Sequence, residues 1–198
     1  MADIRICFVG DSFTQGTGDD ACLGWPGRVC ASARARGHAV TAYNLGIRRE
    51  TTDDIRARWR ADVTPRLVAG LDGRIVFSFG ANDATVEHGT WRVPAALSEE
   101  NARAMISRAK LSWPVLVVGP PPAPEADKTA RHAELAARYA RVCQRLDVPF
   151  LDILEPIKSV DAWWEEVAAG DGIHPSSGGY AALAGLVEAW PAWRAWVP

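Results

Sequence analysis

Five short segments of the chain are almost continuously apolar, and longer segments with a helical pattern separate them. The apolar segments are residues 4–9, 39–45, 74–79, 115–119 and 148–153. Strands that are buried on both faces of a sheet have this continuous character, whereas strands with one wet face alternate. Five such strands with helices between them predict an α/β protein with a parallel sheet between two layers of helices.

The segments between the predicted strands are expected to be helical. The predicted helices are residues 24–36, 52–69, 99–111, 126–147 and 178–190. Thr51 and Asp54 have the spacing of a capping box at the start of the second helix. Ser98 is the residue at which the third helix is predicted to start. Because no repeat, low-complexity tract or linker divides the sequence, residues 1–198 are predicted to form a single domain.

Composition and charge narrow the class of protein. A chain of 198 residues with 48% hydrophobic and 23% charged residues has ordinary globular usage, so no disordered tail is indicated. A net charge of −2 and scattered Lys and Arg give no electrostatic footprint for nucleic acid. Neither a secretory signal nor an apolar run of about 18 residues is visible, so no membrane span is expected. We expect a cytoplasmic protein, unless an export signal has been removed.

The cysteines and the carboxyl-terminal tryptophans both have structural explanations. Four cysteines occur at irregular spacing without a C-x-x-C pair, which favours neither a zinc site nor a redox dithiol. Cys7, in the first predicted strand, is expected to be a buried thiol. Trp190, Trp193 and Trp196 recur every third residue, but Pro191 limits a helix through them. They are expected to pack against the sheet or against a partner subunit, and the second alternative would make the protein a homo-oligomer.

Two distant segments carry the groups of serine nucleophile chemistry. A Gly-Asp-Ser turn after the first predicted strand places the hydroxyl of Ser12 at the carboxyl edge of the sheet, where open α/β sheets bind ligands. Asp171 precedes His174 by three residues, a spacing at which the carboxylate can orient the imidazole as a general base. We therefore predict that Ser12, Asp171 and His174 are catalytic. The alternatives are a helix N-cap for Ser12 and a plain loop residue for His174.

Two further segments supply hydrogen-bond donors at the same edge. Gly46 ends the second predicted strand, and Asn82 follows the third in Gly80-Ala81-Asn82-Asp83. With the backbone N–H of Ser12, the Gly46 N–H and the Asn82 amide would form an oxyanion hole for a tetrahedral intermediate. The alternatives are a positive φ at Gly46 and a turn role for Asn82. Asp11 and Asp83 are predicted to stabilise turns, and His38, His88 and His132 to be surface or loop residues.

These segments in this order resemble the SGNH hydrolases, also called the GDSL lipase/esterase family. The family's four named residues fall on Ser12, Gly46, Asn82 and His174, with Asp171 as the third member of the triad. The resemblance runs from Gly10 to His174, which is nearly the whole chain. It implies a three-layer α/β/α flavodoxin-like fold with the strand order 2-1-3-4-5, and the site roles given above.

The chain departs from the commoner family pattern at three places near the site. Phe13 stands where leucine is usual, an apolar change that leaves the chemistry intact. Arg48 and Arg49 stand where many members carry small residues, so one guanidinium is a candidate to bind an anionic or oxygen-rich part of the substrate. The alternative is a solvated helix entry with Glu50 as a weak partner. Trp25, by contrast, lies in a Gly-Trp-Pro element that is common in the family, where the ring supports the site, and Trp25 is a further candidate for substrate binding.

The sequence therefore predicts a serine esterase that hydrolyses a small carboxylic ester through an acyl-enzyme, with no cofactor or metal. A carbohydrate O-acetyl esterase, a lysophospholipase and a non-catalytic ligand-binding relative are the alternatives. No G-x-S-x-G elbow is present, which argues against the common α/β-hydrolase class. No phosphate-binding glycine pattern can be written through Gly10, Gly16 and Gly18, which argues against a nucleotide-binding protein.

Overall fold

The computed structural model describes residues 3–198, so the first two residues of the predicted domain lie outside the described part. The strands are β1 (Ile4–Gly10), β2 (Val40–Gly46), β3 (Asp72–Ser78), β4 (Val86–Glu87), β5 (Thr90–Trp91), β6 (Val115–Val118) and β7 (Phe150–Leu151). The helices are α1 (Ser12–Gln15), α2 (Gly24–Ala35), α3 (Thr52–Val63), α4 (Ala95–Lys110), α5 (Ala126–Arg145), α6 (Leu154–Lys158), α7 (Asp161–Ala169), α8 (Ser177–Ala189) and α9 (Pro191–Trp196).

The main sheet has five parallel strands in the order β2-β1-β3-β6-β7. This is the order that the family resemblance implied, and the predicted α/β fold is confirmed. Gly10 at the end of β1 lies beside Gly46 of β2 and Ser78 of β3 in the register. The carboxyl ends of β2, β1 and β3 therefore lie side by side at one edge of the sheet, where the loops that follow them converge.

Each face of the sheet carries its own hydrophobic core. On one face Phe8 of β1 packs with Trp25 of α2 and Trp193 of α9, and on the other Phe77 of β3 packs with Trp59 of α3. Trp193 has no exposed surface, and the guanidinium of Arg74 lies 5.5 Å from the ring of Trp196. The carboxyl-terminal tryptophans thus pack against the sheet, which is the first of the two contacts expected for them.

Local sequence signals predicted some element boundaries and missed others. Thr51 accepts a hydrogen bond from the N–H of Asp54, and the reciprocal bond is also present, so the predicted capping box is confirmed. The prediction for Ser98 was wrong, because α4 begins at Ala95 and Ser98 lies buried inside it. A hairpin of β4 and β5 was not predicted. Its two turn residues, His88 and Gly89, both have positive φ, as a tight type I′ turn requires.

The sequence also predicted the state of the cysteines and the absence of a membrane span. In the described part of the chain the four cysteines are free, and Cys7 is buried as predicted. Burial raises the pKa of the Cys7 thiol to about 12, so it stays protonated and unreactive near neutral pH. No helix within residues 3–198 is both long enough and apolar enough to cross a membrane.

Candidate active site

Ser12 lies at the first position of the short helix α1, immediately after β1. The carboxylate of Asp11 caps this helix by accepting a hydrogen bond from the N–H of Phe13 at 3.0 Å. A Cβ atom at Gly10 would lie 1.9 Å from the carbonyl oxygen of Ser78, so only glycine allows β1 and β3 to approach this closely here. Because the first N–H groups of a helix have no intrahelical acceptor, the N–H of Ser12 is available to a ligand.

A chain of two hydrogen bonds connects Ser12, His174 and Asp171. Nδ1 of His174 lies 2.7 Å from Oδ2 of Asp171, and Nε2 lies 2.8 Å from Oγ of Ser12. Because the carboxylate can only accept, Nδ1 carries the proton, and Nε2 is left to accept a hydrogen bond from the Ser12 hydroxyl. The second oxygen of Asp171 accepts from the N–H groups of Ile173 and His174 at 2.9 and 2.8 Å. The structure thus brings these three predicted residues together.

The surroundings of the two hydrogen bonds keep Asp171 charged and His174 neutral. Burial would raise the pKa of Asp171, but hydrogen bonds from His174 and Ile173 outweigh it and lower the pKa to about 2. Burial lowers the pKa of His174, and the charges of Arg48 and Lys128 lower it further, while Asp171 raises it. Together these effects place the pKa of His174 below its usual value of about 6.5. A neutral imidazole is the form that can take a proton from Ser12.

The imidazole of His174 packs against an aromatic ring, which is itself stacked on a second one. The ring of Phe13 lies 4.9 Å from the ring of His174, and on its other side it stacks on Trp163 at 6.0 Å. Phe13 and Trp163 are both buried. The phenylalanine that replaces the usual leucine therefore belongs to the packing that holds His174, a role that residue volume alone did not indicate.

Asn82 is oriented by its neighbours at the end of β3. Its side-chain amide donates one hydrogen bond to the carbonyl oxygen of Glu50 at 2.9 Å. An amide nitrogen has two hydrogens, so a second donor remains for a ligand. The buried carboxylate of Asp83 accepts from the N–H of Thr52 at 2.8 Å and from the hydroxyl of Ser98. These hydrogen bonds connect the turn that carries Asn82 to α3 and α4, which agrees with the turn-stabilising role predicted for Asp83.

Gly46 is at the expected edge, but its N–H is engaged in this conformation. The N–H donates to Oδ1 of Asn44 at 3.0 Å, and a backbone amide has only one hydrogen. The φ of Gly46 is not among the positive values, so that alternative was wrong. Glycine is needed instead because a Cβ here would lie 2.2 Å from the backbone nitrogen of Gln15. The Asn44 side chain was not predicted to matter, and it now occupies one of the three candidate donors.

The two arginines occupy different places. Arg48 lines a cavity of about 690 Å³ together with Asp171, His174, Thr17 and Asp20. Arg49 does not line it, and Arg49 has a φ of 68°, a strained conformation for a side chain of its size. Glu50 pairs with neither arginine: its carboxylate lies 2.5 Å from the guanidinium of Arg58.

Trp25 cannot fill the substrate-binding role considered for it. Its side chain has no exposed surface, and its ring packs edge-on against Phe8 at 5.4 Å. That prediction was wrong, because the Gly-Trp-Pro segment points its ring into the core. A second cavity, of about 670 Å³, is mainly apolar. Its walls include Pro122, Trp164 and Gly172.

His132 does not lie at the surface, where the sequence predicted it. This histidine is buried, and its two ring nitrogens lie 2.7 Å from the carbonyl oxygen of Pro121 and 3.2 Å from that of Ala81. It therefore connects α5 to the turn that carries Asn82 and is not a surface or loop residue. Within residues 3–198, no three His, Cys, Asp or Glu side chains are grouped as a metal site would require.

The strand order and the residues at the sheet edge define an α/β protein of the SGNH hydrolase type. Residues 8–182 match the GDSL-like lipase/acylhydrolase family. Because the match covers most of the chain, the protein belongs to this family. No curated protein matches the sequence.

Solved structures support the same fold. A lipase/acylhydrolase from Enterococcus faecalis is 28% identical, with 93% of each chain covered and a TM-score of 0.76. An acetylxylan esterase from Geobacillus stearothermophilus, solved as a catalytic mutant, is 19% identical, with 93% of this chain and 92% of that chain covered and a TM-score of 0.74. An α/β hydrolase from the metagenome of Lake Arreo, Spain, is 18% identical, with 93% of each chain covered and a TM-score of 0.73.

The pKa of His174 gives a test of the hydrogen-bond chain. We expect His174 to titrate below its usual range and Asp171→Asn to lower its pKa further, because the carboxylate stabilises the imidazolium. Histidine NMR titration, with the signal assigned by its loss in His174→Gln, measures both values. Asp20→Asn, an exposed acid of the same cavity, is the matched control and should have a smaller effect. A higher or unchanged pKa in Asp171→Asn would contradict the assignment.

Proposed function

We propose that the protein is a serine esterase that hydrolyses small carboxylic esters through an acyl-enzyme. The observation that carries the proposal is the chain of hydrogen bonds, 2.8 Å from Ser12 Oγ to His174 Nε2 and 2.7 Å from His174 Nδ1 to Asp171 Oδ2. These distances are within the range for proton transfer from a nucleophile to a base. Membership of the GDSL-like lipase/acylhydrolase family supports the same class of reaction.

In the first half of the proposed reaction, Ser12 attacks the ester carbonyl carbon while His174 takes the hydroxyl proton at Nε2. The resulting imidazolium is stabilised by Asp171, whose lowered pKa keeps the carboxylate charged. His174 then gives the proton to the alcohol oxygen as the carbon–oxygen bond breaks. The alcohol leaves, and the acyl group stays on Ser12.

In the second half, a water molecule takes the place of the alcohol. His174 removes a proton from the water, whose oxygen attacks the acyl carbon, and then returns that proton to Oγ of Ser12 as the acid leaves. The enzyme ends as it began. These steps use only side chains of this chain and require no cofactor.

The negative oxygen of each tetrahedral intermediate needs donors that face it. The N–H of Ser12 and the second amide hydrogen of Asn82 are the donors that the geometry favours, because neither has an acceptor among the described residues. The N–H of Gly46 joins them in our proposal only when a bound substrate displaces the side chain of Asn44.

The polar cavity beside His174 favours an ester with an oxygen-rich or charged alcohol over one with a long lipid chain. Arg48 and Asp20 line it, and neither side chain forms an ion pair within residues 3–198. The guanidinium of Arg48 can bind hydroxyl or anionic groups, and the carboxylate of Asp20 can accept hydrogen bonds from hydroxyl groups. A carbohydrate O-acetyl esterase is therefore the second candidate, and the structural likeness to an acetylxylan esterase is consistent with it. The mainly apolar cavity lined by Trp164 and Gly172 is the corresponding observation for a lysophospholipase, and a non-catalytic relative has none.

Replacement of the nucleophile tests the proposal directly. Ser12→Ala should reduce hydrolysis of p-nitrophenyl acetate by about 10⁴-fold or more, because the acyl-enzyme cannot form. His174→Ala should be similarly impaired, whereas His88→Ala, an exposed hairpin residue, should keep full activity. Thermal melting should show that the variants stay folded. Substantial turnover by folded Ser12→Ala would refute the mechanism.

Removal of an oxyanion donor should affect kcat more than KM. We expect Asn82→Ala to lower kcat by on the order of 10²–10³ with a much smaller change in KM, since the contact strengthens as the oxyanion forms. Steady-state kinetics with the same ester measures both constants. A raised KM with an unchanged kcat would instead make Asn82 a substrate-binding residue.

Arg48 and Arg49 form a matched pair for testing the polar cavity. Arg48→Ala should lower kcat/KM by about ten- to a hundredfold for a carboxylated or phosphorylated ester, because a charged contact contributes roughly 1.5–3 kcal/mol. Arg49→Ala keeps a Cβ on the strained backbone and should have little effect. A simple neutral acetate such as p-nitrophenyl acetate, which has no hydroxyl or charged group for the guanidinium to bind, should be nearly unaffected by either change. Equal effects of Arg48→Ala on both kinds of ester would exclude this role for Arg48.

A further inference from the structure

Asp171 and His174 both lie on one short segment, residues 170–176, which connects α7 to α8 and is called the triad loop below. The carbonyl oxygens of α7 hold the beginning of this loop. The N–H of Gly170 donates to the carbonyl oxygen of Glu166 at 2.9 Å, and the N–H of Gly172 donates to that of Val167 at 3.1 Å. The middle of the loop is exposed at Asp171, Gly172 and Ile173, so its position depends on how its two ends are held.

The side chain of Glu166 holds the other end of the triad loop. One carboxylate oxygen accepts from the N–H groups of Ser176 and Gly179, and the other accepts from Gly178, all at 2.8 Å. The first N–H groups of α8 have no intrahelical acceptors, and the side chain of Ser176 makes no capping bond. Glu166 therefore caps α8 from a neighbouring helix, and its charge suits the positive end of the helix dipole.

The local sequence allows this close approach. A Cβ atom at Gly178 would lie 2.7 Å from a carboxylate oxygen of Glu166, and one at Gly179 would lie 2.5 Å from the Cβ of Pro175. Two consecutive glycines at the start of a helix are unfavourable for the helix itself. Here they let the carboxylate reach three backbone donors in the first turn.

We propose that Glu166 is the positioning residue for His174. Its backbone carbonyl holds the start of the triad loop and its carboxylate holds the end, so this one residue fixes the span that carries Asp171 and His174. The inference rests on the proposed function, because Glu166 acts through His174. Ser177 and Asp19 form a further contact at 2.7 Å, but this contact holds α8 and not the start of the loop.

The location of Glu166 also suggests a competing role that kinetics can separate from positioning. Glu166 lines the same polar cavity as Arg48. A residue that contacts the substrate equally in the ground state and the transition state changes KM, whereas displacement of His174 lowers kcat. A shift of about 1 Å in a reacting group can lower the rate about a hundredfold.

The experiment compares Glu166→Ala, Glu166→Gln and Glu165→Ala in the full chain with p-nitrophenyl acetate. Glu165 is the neighbouring, exposed carboxylate, and it makes no side-chain hydrogen bond in the described residues. We expect Glu166→Ala to lower kcat by about ten- to a hundredfold with KM changed by less than about twofold. Glu166→Gln, whose carbonyl oxygen can still accept from Ser176 and Gly179, should be intermediate, and Glu165→Ala should match the wild type.

An NMR measurement reports the loop position without reference to turnover. The Nδ1 proton of His174, shared with Asp171, should give a downfield signal in the wild type that weakens in Glu166→Ala and is preserved in Glu165→Ala. Merely lowered stability would leave this signal intact in the folded protein. The proposal is overturned if KM rises at constant kcat, if folded Glu166→Ala matches Glu165→Ala, or if the signal is unchanged. If Glu166→Ala does not fold, the same comparison with Glu166→Gln decides.

The esterase activity and the positioning role of Glu166 can be refuted separately. If folded Ser12→Ala hydrolyses the ester at the wild-type rate, the proposed function is wrong whatever Glu166 does. If Ser12→Ala is inactive but the Glu166 variants keep wild-type kcat and the His174 signal, the esterase proposal stands. Only the positioning role of Glu166 is then lost.

Discussion

The hydrogen bond between Ser12 Oγ and His174 Nε2 joins residues that are 162 positions apart in the chain. No local preference can make such a contact, so it depends on the order of the strands in the sheet. Because β1 lies between β2 and β3, Ser12 emerges between these two strands, and the loops after β2 and β3 bring Gly46 and Asn82 to the same edge. The packing of α8 on α2 then delivers His174 from the far end of the chain.

Close backbone approaches make this edge possible. Gly10 and Gly46 admit no side chain, because the neighbouring backbone lies within 3 Å of where a Cβ would stand. The buried carboxylates nearby are held by specific donors: Asp83 accepts from Thr52 and Ser98, and Asp11 caps α1. Burial raises the pKa of Asp11 to about 7, so this carboxyl is partly protonated near neutral pH. Asp171 is different, because its hydrogen bonds outweigh burial and keep it ionised.

The sequence was informative where structure follows from local physics. The buried strands were recognisable because both faces are apolar, and the capping box at Thr51 is a local hydrogen-bond pattern. Ser98 looked like a helix start because serine often caps, but its hydroxyl instead bonds to Asp83, a contact between distant segments. Trp25, Asn44 and His132 were misjudged or missed for the same reason. Their roles depend on which face of an element meets the sheet, and a single sequence does not specify that.

The central claim is that Ser12 is the residue that becomes acylated, and covalent labelling tests it most directly. Wild-type protein treated with a serine-directed fluorophosphonate should gain one adduct, and peptide mass mapping should locate it on Ser12. Ester hydrolysis should be lost in proportion to labelling, because the same hydroxyl is blocked. An adduct on another residue with loss of activity, or complete modification of Ser12 with hydrolysis retained, would contradict the account.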